Sequence, residues 1–142
     1  MEQSIYSFPG ITIETSHYSH DLGYGSFFRF RCYTASLLDI EKEYRAVTAP
    51  PYGADYSEAE EQMFKNRIRS KDKYVVDFLM QCDACGYISR VQCMHLKKLL
   101  LKDQHRNENC GEMGYEKDRF TVDDIIDMLR DGIRTKKGLT WR

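Results

Sequence analysis

Between Gln81 and His95 the chain reads QCDACGYISRVQCMH, a Cys-x-x-Cys-Gly followed by a further cysteine and a histidine. Three chemistries use such spacing. A structural zinc site takes four thiolate or imidazole ligands in a tetrahedron, commonly from two Cys-x-x-Cys turns. Here only Cys82 and Cys85 have that spacing, and the other ligands would come from Cys93, His95, His105 and Cys110, which form no second such pair. Cys82 also continues an apolar helical stripe and Cys93 opens the buried side of the next one, where cysteine acts as a small hydrophobe. A redox pair wants Cys-x-x-Cys at a helix start, where the helix N-terminus lowers the thiol pKa; this one falls at a predicted helix end. A calcium loop aligned with Gly86 at its sixth position has Ile88 at the eighth and Ser89 at the ninth, but offers Asp83 as its only carboxylate. The expectation is a helix–hinge–helix without a metal.

A second constellation lies near the N-terminus. His17-Tyr-Ser-His20 is followed by Asp21, Tyr24, and then Arg29, Arg31 and Tyr33 in an alternating run. If Ser26–Tyr33 is a strand, Arg29, Arg31 and Tyr33 share one face. Two arginines on one face can grip a phosphate or carboxylate, and a tyrosine beside them can stack on a base. The expected contact residues are therefore Arg29, Arg31 and Tyr33, with Tyr24, His17 and His20 in the loop above them. Replacing both arginines by alanine is expected to abolish binding and leave the fold intact. The plainer alternative is a solvent-facing strand with its charges paired to Glu14 or Glu43. Cys110, with His105 near in sequence, has the residue types of a cysteine- or histidine-dependent hydrolase but no local signature, and an exposed loop is the simpler expectation. Gly111-x-x-Gly114 lacks the strand-to-helix setting of a phosphate loop. The basic clusters at 67–71 and 134–137 suit helix ends.

Leu79, Cys82-Asp83, Gly86, Ile88, Cys93 and Leu96 carry a resemblance. Their spacing, L-x2-C-D-x2-G-x-I-x4-C-x2-L, is similar to that in short uncharacterised proteins of bacteriophages and prophages. It spans residues 79–96, with Arg90 where the pattern has proline. The resemblance implies a phage or mobile-element origin and assigns no activity. It also implies a role known among phage proteins of this size, antagonism of host defence by holding a host protein or sequestering a nucleotide signal.

The elements that must position these residues follow from periodicity. Ile11–Thr15 and Ser26–Tyr33 alternate as strands of a hairpin, with Gly23 and Gly25 as turn punctuation. Positions 37, 40, 44 and 47 form a helical stripe over 36–47, ended by the prolines and glycine of Ala49–Gly53. Ser57 with Glu60, Ser89 with Gln92, and Thr121 with Asp124 place an oxygen at a helix start and a side chain three residues on that can reach back to it. Helices are predicted at 57–69 and 71–84, from 89, and from 121. Residues 104–120 read as a loop and 138–142 as a short terminal strand. The fold class is α+β, an N-terminal β-hairpin or small antiparallel sheet packed against about five helices, in one domain over 1–142.

Composition bounds the rest. A chain of 142 residues can bury roughly two thirds of its unfolded surface, so it needs no metal or disulfide to fold. Its 21 basic and 22 acidic side chains give a net charge of -1, against an extended nucleic-acid surface. The first sixteen residues carry an acid at position 2 and no apolar run of signal-peptide type, and no segment is long and apolar enough for a membrane helix. Five cysteines, an odd number, point to free thiols in a reducing, cytoplasmic setting. The expectation is a non-enzymatic binding protein, a homo-oligomer without cofactor or membrane contact, holding a small anionic or nucleotide-like ligand or a host protein. A zinc-stabilised interaction module and a small hydrolase are the alternatives.

Overall fold

The computed structural model describes residues 9–115 and 119–142. Residues 1–8, and 116–118 within the predicted loop at 104–120, lie outside the described residues. The fold is α+β, as the periodicity predicts, with seven helices among the described residues where about five were expected. Strand β1 (Gly10–Glu14) turns Ile11 and Ile13 into the core and pairs antiparallel with β2 (Ser19–Gly23), Ile11 facing Leu22 and Ile13 facing His20. The turn falls at Thr15–Tyr18, closed by the Thr15 N–H donating to the Tyr18 carbonyl at 2.9 Å. The hairpin is thus present, but its second strand precedes the one expected.

Residues 26–33 are not a strand. They lie inside helix α1 (Tyr24–Leu37), with Gly23 at its N-cap. Phe27, Phe30, Arg31 and Thr34 are buried at helical spacing. The run looked two-periodic because both arginines were counted as solvent-facing; Arg31, only 4% exposed, belongs to the core. The single helix expected over 36–47 is likewise two. Asp39 at φ 60 ends α1, Ile40 returns its N–H to the Ala35 carbonyl at 3.0 Å, and α2 (Glu41–Thr48) begins anew.

Helix α3 (Glu58–Arg69) opens on the expected Ser57–Glu60 capping box. Helix α4 (Lys73–Met80) stops four residues before the predicted end, because Gln81 is extended and its side chain pairs with Tyr87 instead of continuing the helix. A three-residue strand β3 (Gly86–Ile88) follows, then α5 (Arg90–Leu100) on its Ser89–Gln92 box. The segment expected as loop contains a short helix α6 (Arg106–Cys110). Helix α7 (Val122–Thr135) opens on Thr121–Asp124, and β4 (Leu139–Trp141) is the predicted terminal strand. The sheet order is β2-β1-β4-β3, antiparallel throughout, so the C-terminal strand joins the hairpin to β3. Trp141, 1% exposed, anchors the core, with ring centroids 5.4 Å from Phe27 and 5.6 Å from Phe78.

Candidate functional site

Helix α1 buries a cation where the sheet, α4 and the loop after α4 meet. The Arg31 guanidinium carbon lies 4.5 Å from the Phe27 ring centroid, 5.3 Å from Phe78 and 5.4 Å from Trp141. Its Nη1 donates to the Gln81 carbonyl at 2.9 Å and Nη2 to the Cys82 carbonyl at 3.4 Å. Its Nε is buried without a hydrogen-bond partner, and among the described residues no carboxylate forms an ion pair with it. Burial lowers the pKa of Arg31, opposed by the Tyr44 phenol beside it and by the charge of Asp83. Desolvating such a charge costs several kcal/mol, which ring faces and charge-assisted hydrogen bonds offset in part. A cation held this way leaves positive potential in whatever space it adjoins.

That space is a groove of about 470 Å³ between α1, α2 and the end of α4. Arg31 contributes to its wall beside Tyr24, Phe28, Tyr44, Met80 and Asp83. Phe28 and Tyr44 stack at 6.2 Å, and Tyr24, 42% exposed, stands at the rim. The volume falls within the roughly 300–1,000 Å³ of small-molecule sites.

The six residues expected to form one site separate into four places. Successive helical residues are about 100° apart, so Arg29 and Arg31 leave α1 on nearly opposite sides. Arg29 extends toward the Glu112 carbonyl at 3.4 Å and lines a different cavity, of about 320 Å³, together with Tyr33. Tyr33 is buried there and donates to Asp103 Oδ2 at 2.7 Å; burial foremost, and this bond, raise its pKa. His17 lies on the hairpin turn, its Nδ1 2.8 Å from Asp131 Oδ1 and its backbone N–H donating to Oδ2 at 2.9 Å. His20 stacks on Phe120 at 4.3 Å. Only Tyr24 and Arg31 meet in the groove.

The cysteines divide by exposure. Cys82 and Cys85 are exposed, so Cys82 does not continue the α4 stripe as predicted, whereas Cys93 is buried as predicted. Burial pushes the Cys32 and Cys110 thiols up to about 11 and that of Cys93 to about 12. Burial thus favours the protonated form of Cys110, and the exposed His105 pairs with Glu108 at 3.4 Å. Among the described residues no group of three His, Cys, Asp or Glu side chains is placed to hold a metal ion. Two features escaped the sequence pattern. His95 Nδ1 lies 2.6 Å from Asp72 Oδ2 beside Lys98 and Lys102, in a cavity of about 460 Å³; no local spacing links Asp72 to His95. The place of Tyr44 on the groove wall is the other; the apolar stripe predicts its burial, and Tyr44 is 1% exposed. Among the described residues no helix is long and apolar enough to cross a membrane.

Comparison with protein families, with curated proteins and with solved structures finds no match to this chain. Its function has to be argued from the groove itself.

Proposed function

We propose that the protein binds a small anionic ligand carrying a flat ring, of mononucleotide type, in the groove beside Arg31, and holds it without transforming it. One observation carries this reading: a buried guanidinium with no carboxylate partner among the described residues forms part of an open, aromatic-walled groove. The anionic group lies toward Arg31 and the Tyr44 phenol, while the ring stacks on Tyr24 or Phe28. Asp83 at the same groove sets a limit on charge. Its carboxylate partly balances Arg31, so a singly charged phosphodiester is favoured over a triphosphate. Sequestration of a nucleotide signal is the role such binding would serve, and the resemblance of residues 79–96 to phage proteins supports that role in antagonising host defence.

Native mass spectrometry of the purified chain tests for a retained ligand of mononucleotide mass. Calorimetric titration with a nucleoside monophosphate, a cyclic mononucleotide and a nucleoside triphosphate then ranks the ligands. Base–aromatic stacking contributes roughly 1–3 kcal/mol, so Tyr24→Ala weakens binding about tenfold. Asp83→Asn strengthens it, most for the triphosphate. Absence of binding by all three ligands, or affinities unmoved by both substitutions, refutes the assignment.

A further inference from the structure

The loop between α4 and β3, which supplies Gln81 and Asp83 to the groove, also carries the two exposed thiols of the chain's described cysteines. We propose that Cys82 and Cys85 form a reversible dithiol–disulfide couple, Cys82 attacking and Cys85 resolving, that exchanges with low-molecular-weight disulfides.

The loop is built for this exchange. Both of its thiols are exposed, whereas Cys32, Cys93 and Cys110 are buried. The Ala84 N–H donates to Cys82 Sγ at 3.4 Å. That N–H first, then the Cys85 N–H and the Cys85 thiol, hold the Cys82 thiol below its ordinary pKa against desolvation and the charge of Asp83. Amide donors on a sulfur favour the thiolate, which is the species that attacks disulfides. The position just after a helix C-terminus would by itself disfavour an anion. Arg31 lessens that effect, because its guanidinium donates to the Gln81 carbonyl at the C-cap of α4 and to the Cys82 carbonyl just beyond it.

The ends of the loop are fixed while its sulfurs stay free. Gln81 donates through Nε2 to the Tyr87 carbonyl at 2.7 Å and accepts the Tyr87 N–H at 2.9 Å, so its side chain closes the loop as a strand partner would. The Cys82 carbonyl also accepts from Trp141 Nε1 at 3.0 Å. Buried anchors below and two reachable sulfurs above allow the exchange without disturbing the core.

The chemistry balances as two successive exchanges. The Cys82 thiolate attacks one sulfur of a small disulfide RSSR, forming a Cys82–SR mixed disulfide and releasing RS⁻. Cys85 gives its proton to solvent and its thiolate attacks Cys82 Sγ, forming the Cys82–Cys85 bond and releasing the second RS⁻. The chain loses two electrons and two protons, and RSSR becomes two RSH.

The experiment exposes reduced full-length protein to graded mixtures of reduced and oxidised glutathione, then quenches with acid and maps the products by mass. The expected product is a monomer lighter by two hydrogens, with the bond between Cys82 and Cys85. In Cys85→Ser the glutathione adduct accumulates on Cys82; in Cys82→Ser the adduct on Cys85 forms about tenfold more slowly. Unchanged Trp141 fluorescence in both variants shows that the fold is kept. A lasting glutathione adduct on the wild type, a disulfide joining two chains, or equal rates for the two variants overturns the proposal. The wild-type result stands even if a variant fails to fold.

Discussion

Truncating Arg31 to alanine tests whether the buried guanidinium holds the fold together. The substitution removes a hydrogen bond to the Gln81 carbonyl at 2.9 Å and one to the Cys82 carbonyl at 3.4 Å, each charge-assisted and worth about 1.5–3 kcal/mol. It empties space faced by the rings of Phe27, Phe78 and Trp141. Cys82 keeps the Trp141 Nε1 donor at 3.0 Å, but no other donor to the Gln81 carbonyl is evident among the described hydrogen bonds. Against these losses stands relief of the desolvation cost of a buried charge, several kcal/mol. The net expectation is a loss of about 3 kcal/mol, within the range for emptying a core position. With a urea slope of about 2 kcal/mol/M, the midpoint falls by about 1.5 M. Trp141 is the chain's one tryptophan and touches the perturbed site, so its fluorescence reports the transition directly. Arg29→Ala, at an exposed position on the other side of α1, changes stability by no more than about 0.5 kcal/mol. A loss below about 1 kcal/mol for Arg31→Ala would show that the guanidinium does not anchor the loop. The double alanine substitution is therefore expected to cost about 3 kcal/mol, nearly all of it from Arg31, which a domain stable by about 5–15 kcal/mol survives folded.

Three further outcomes follow from local contacts. A Cβ on Gly86 would overlap the Trp141 ring, so Gly86→Ala forces the ring or β3 aside and destabilises by about 1–3 kcal/mol in urea denaturation. Asp131 is nearly inaccessible, and burial opposes its charged form, but hydrogen bonds from the His17 side chain and backbone and from Arg134 outweigh burial and hold its pKa below the ordinary carboxylate value. A depressed folded-state pKa contributes stability that is full above about pH 4 and is lost as pH falls toward the folded value; Asp131→Asn should lower stability at neutral pH and flatten the acid limb of the midpoint–pH curve. Thr121→Ala removes the side-chain oxygen that accepts the Asp124 N–H at 3.3 Å and costs about 1 kcal/mol by thermal denaturation, while the Asp124 carboxylate keeps the Thr121 backbone N–H at 2.7 Å.

The elements legible in the sequence are those whose signal is local. Three capping boxes fixed the starts of α3, α5 and α7, because the paired side chains act on backbone groups within one turn. Strand β4 showed through its apolar–polar–apolar Leu-Thr-Trp. Helix α1 was not legible because period two and period 3.6 both fit SFFRFRCY until the burial of Arg31 is known. That burial depends on Trp141, 110 positions away, and on the Gln81 and Cys82 carbonyls. The early end of α4 has the same origin, since Gln81 leaves the helix to pair with Tyr87 six residues on. Gly86 falls within the predicted hinge, and its lack of a side chain serves a contact no local pattern shows: the Trp141 ring lies where a Cβ would be. The site is half legible: Tyr24 and Arg31 do meet, though through a helix instead of a strand, and Tyr44 is buried as the apolar stripe predicts while its place on the groove wall carries no local signal.

A buried arginine without a carboxylate is a poor choice for stability alone. An apolar side chain of similar length fills the same space without the desolvation cost, and such replacements of buried charges are often neutral or stabilising by 1–4 kcal/mol. Arg31→Met therefore separates the two roles this residue can have. If the guanidinium serves only to hold the Gln81 and Cys82 carbonyls, methionine forfeits those bonds, stability falls with them, and anion binding is unaffected. If it also provides the positive potential of the groove, methionine loses the same two bonds and, in addition, affinity for a cyclic mononucleotide. Urea denaturation and calorimetry on one preparation read both quantities. A stable Arg31→Met protein that still binds the nucleotide at wild-type affinity would refute the assignment of Arg31 to the ligand, and the groove would then owe its selectivity to Tyr24, Phe28 and Tyr44 alone.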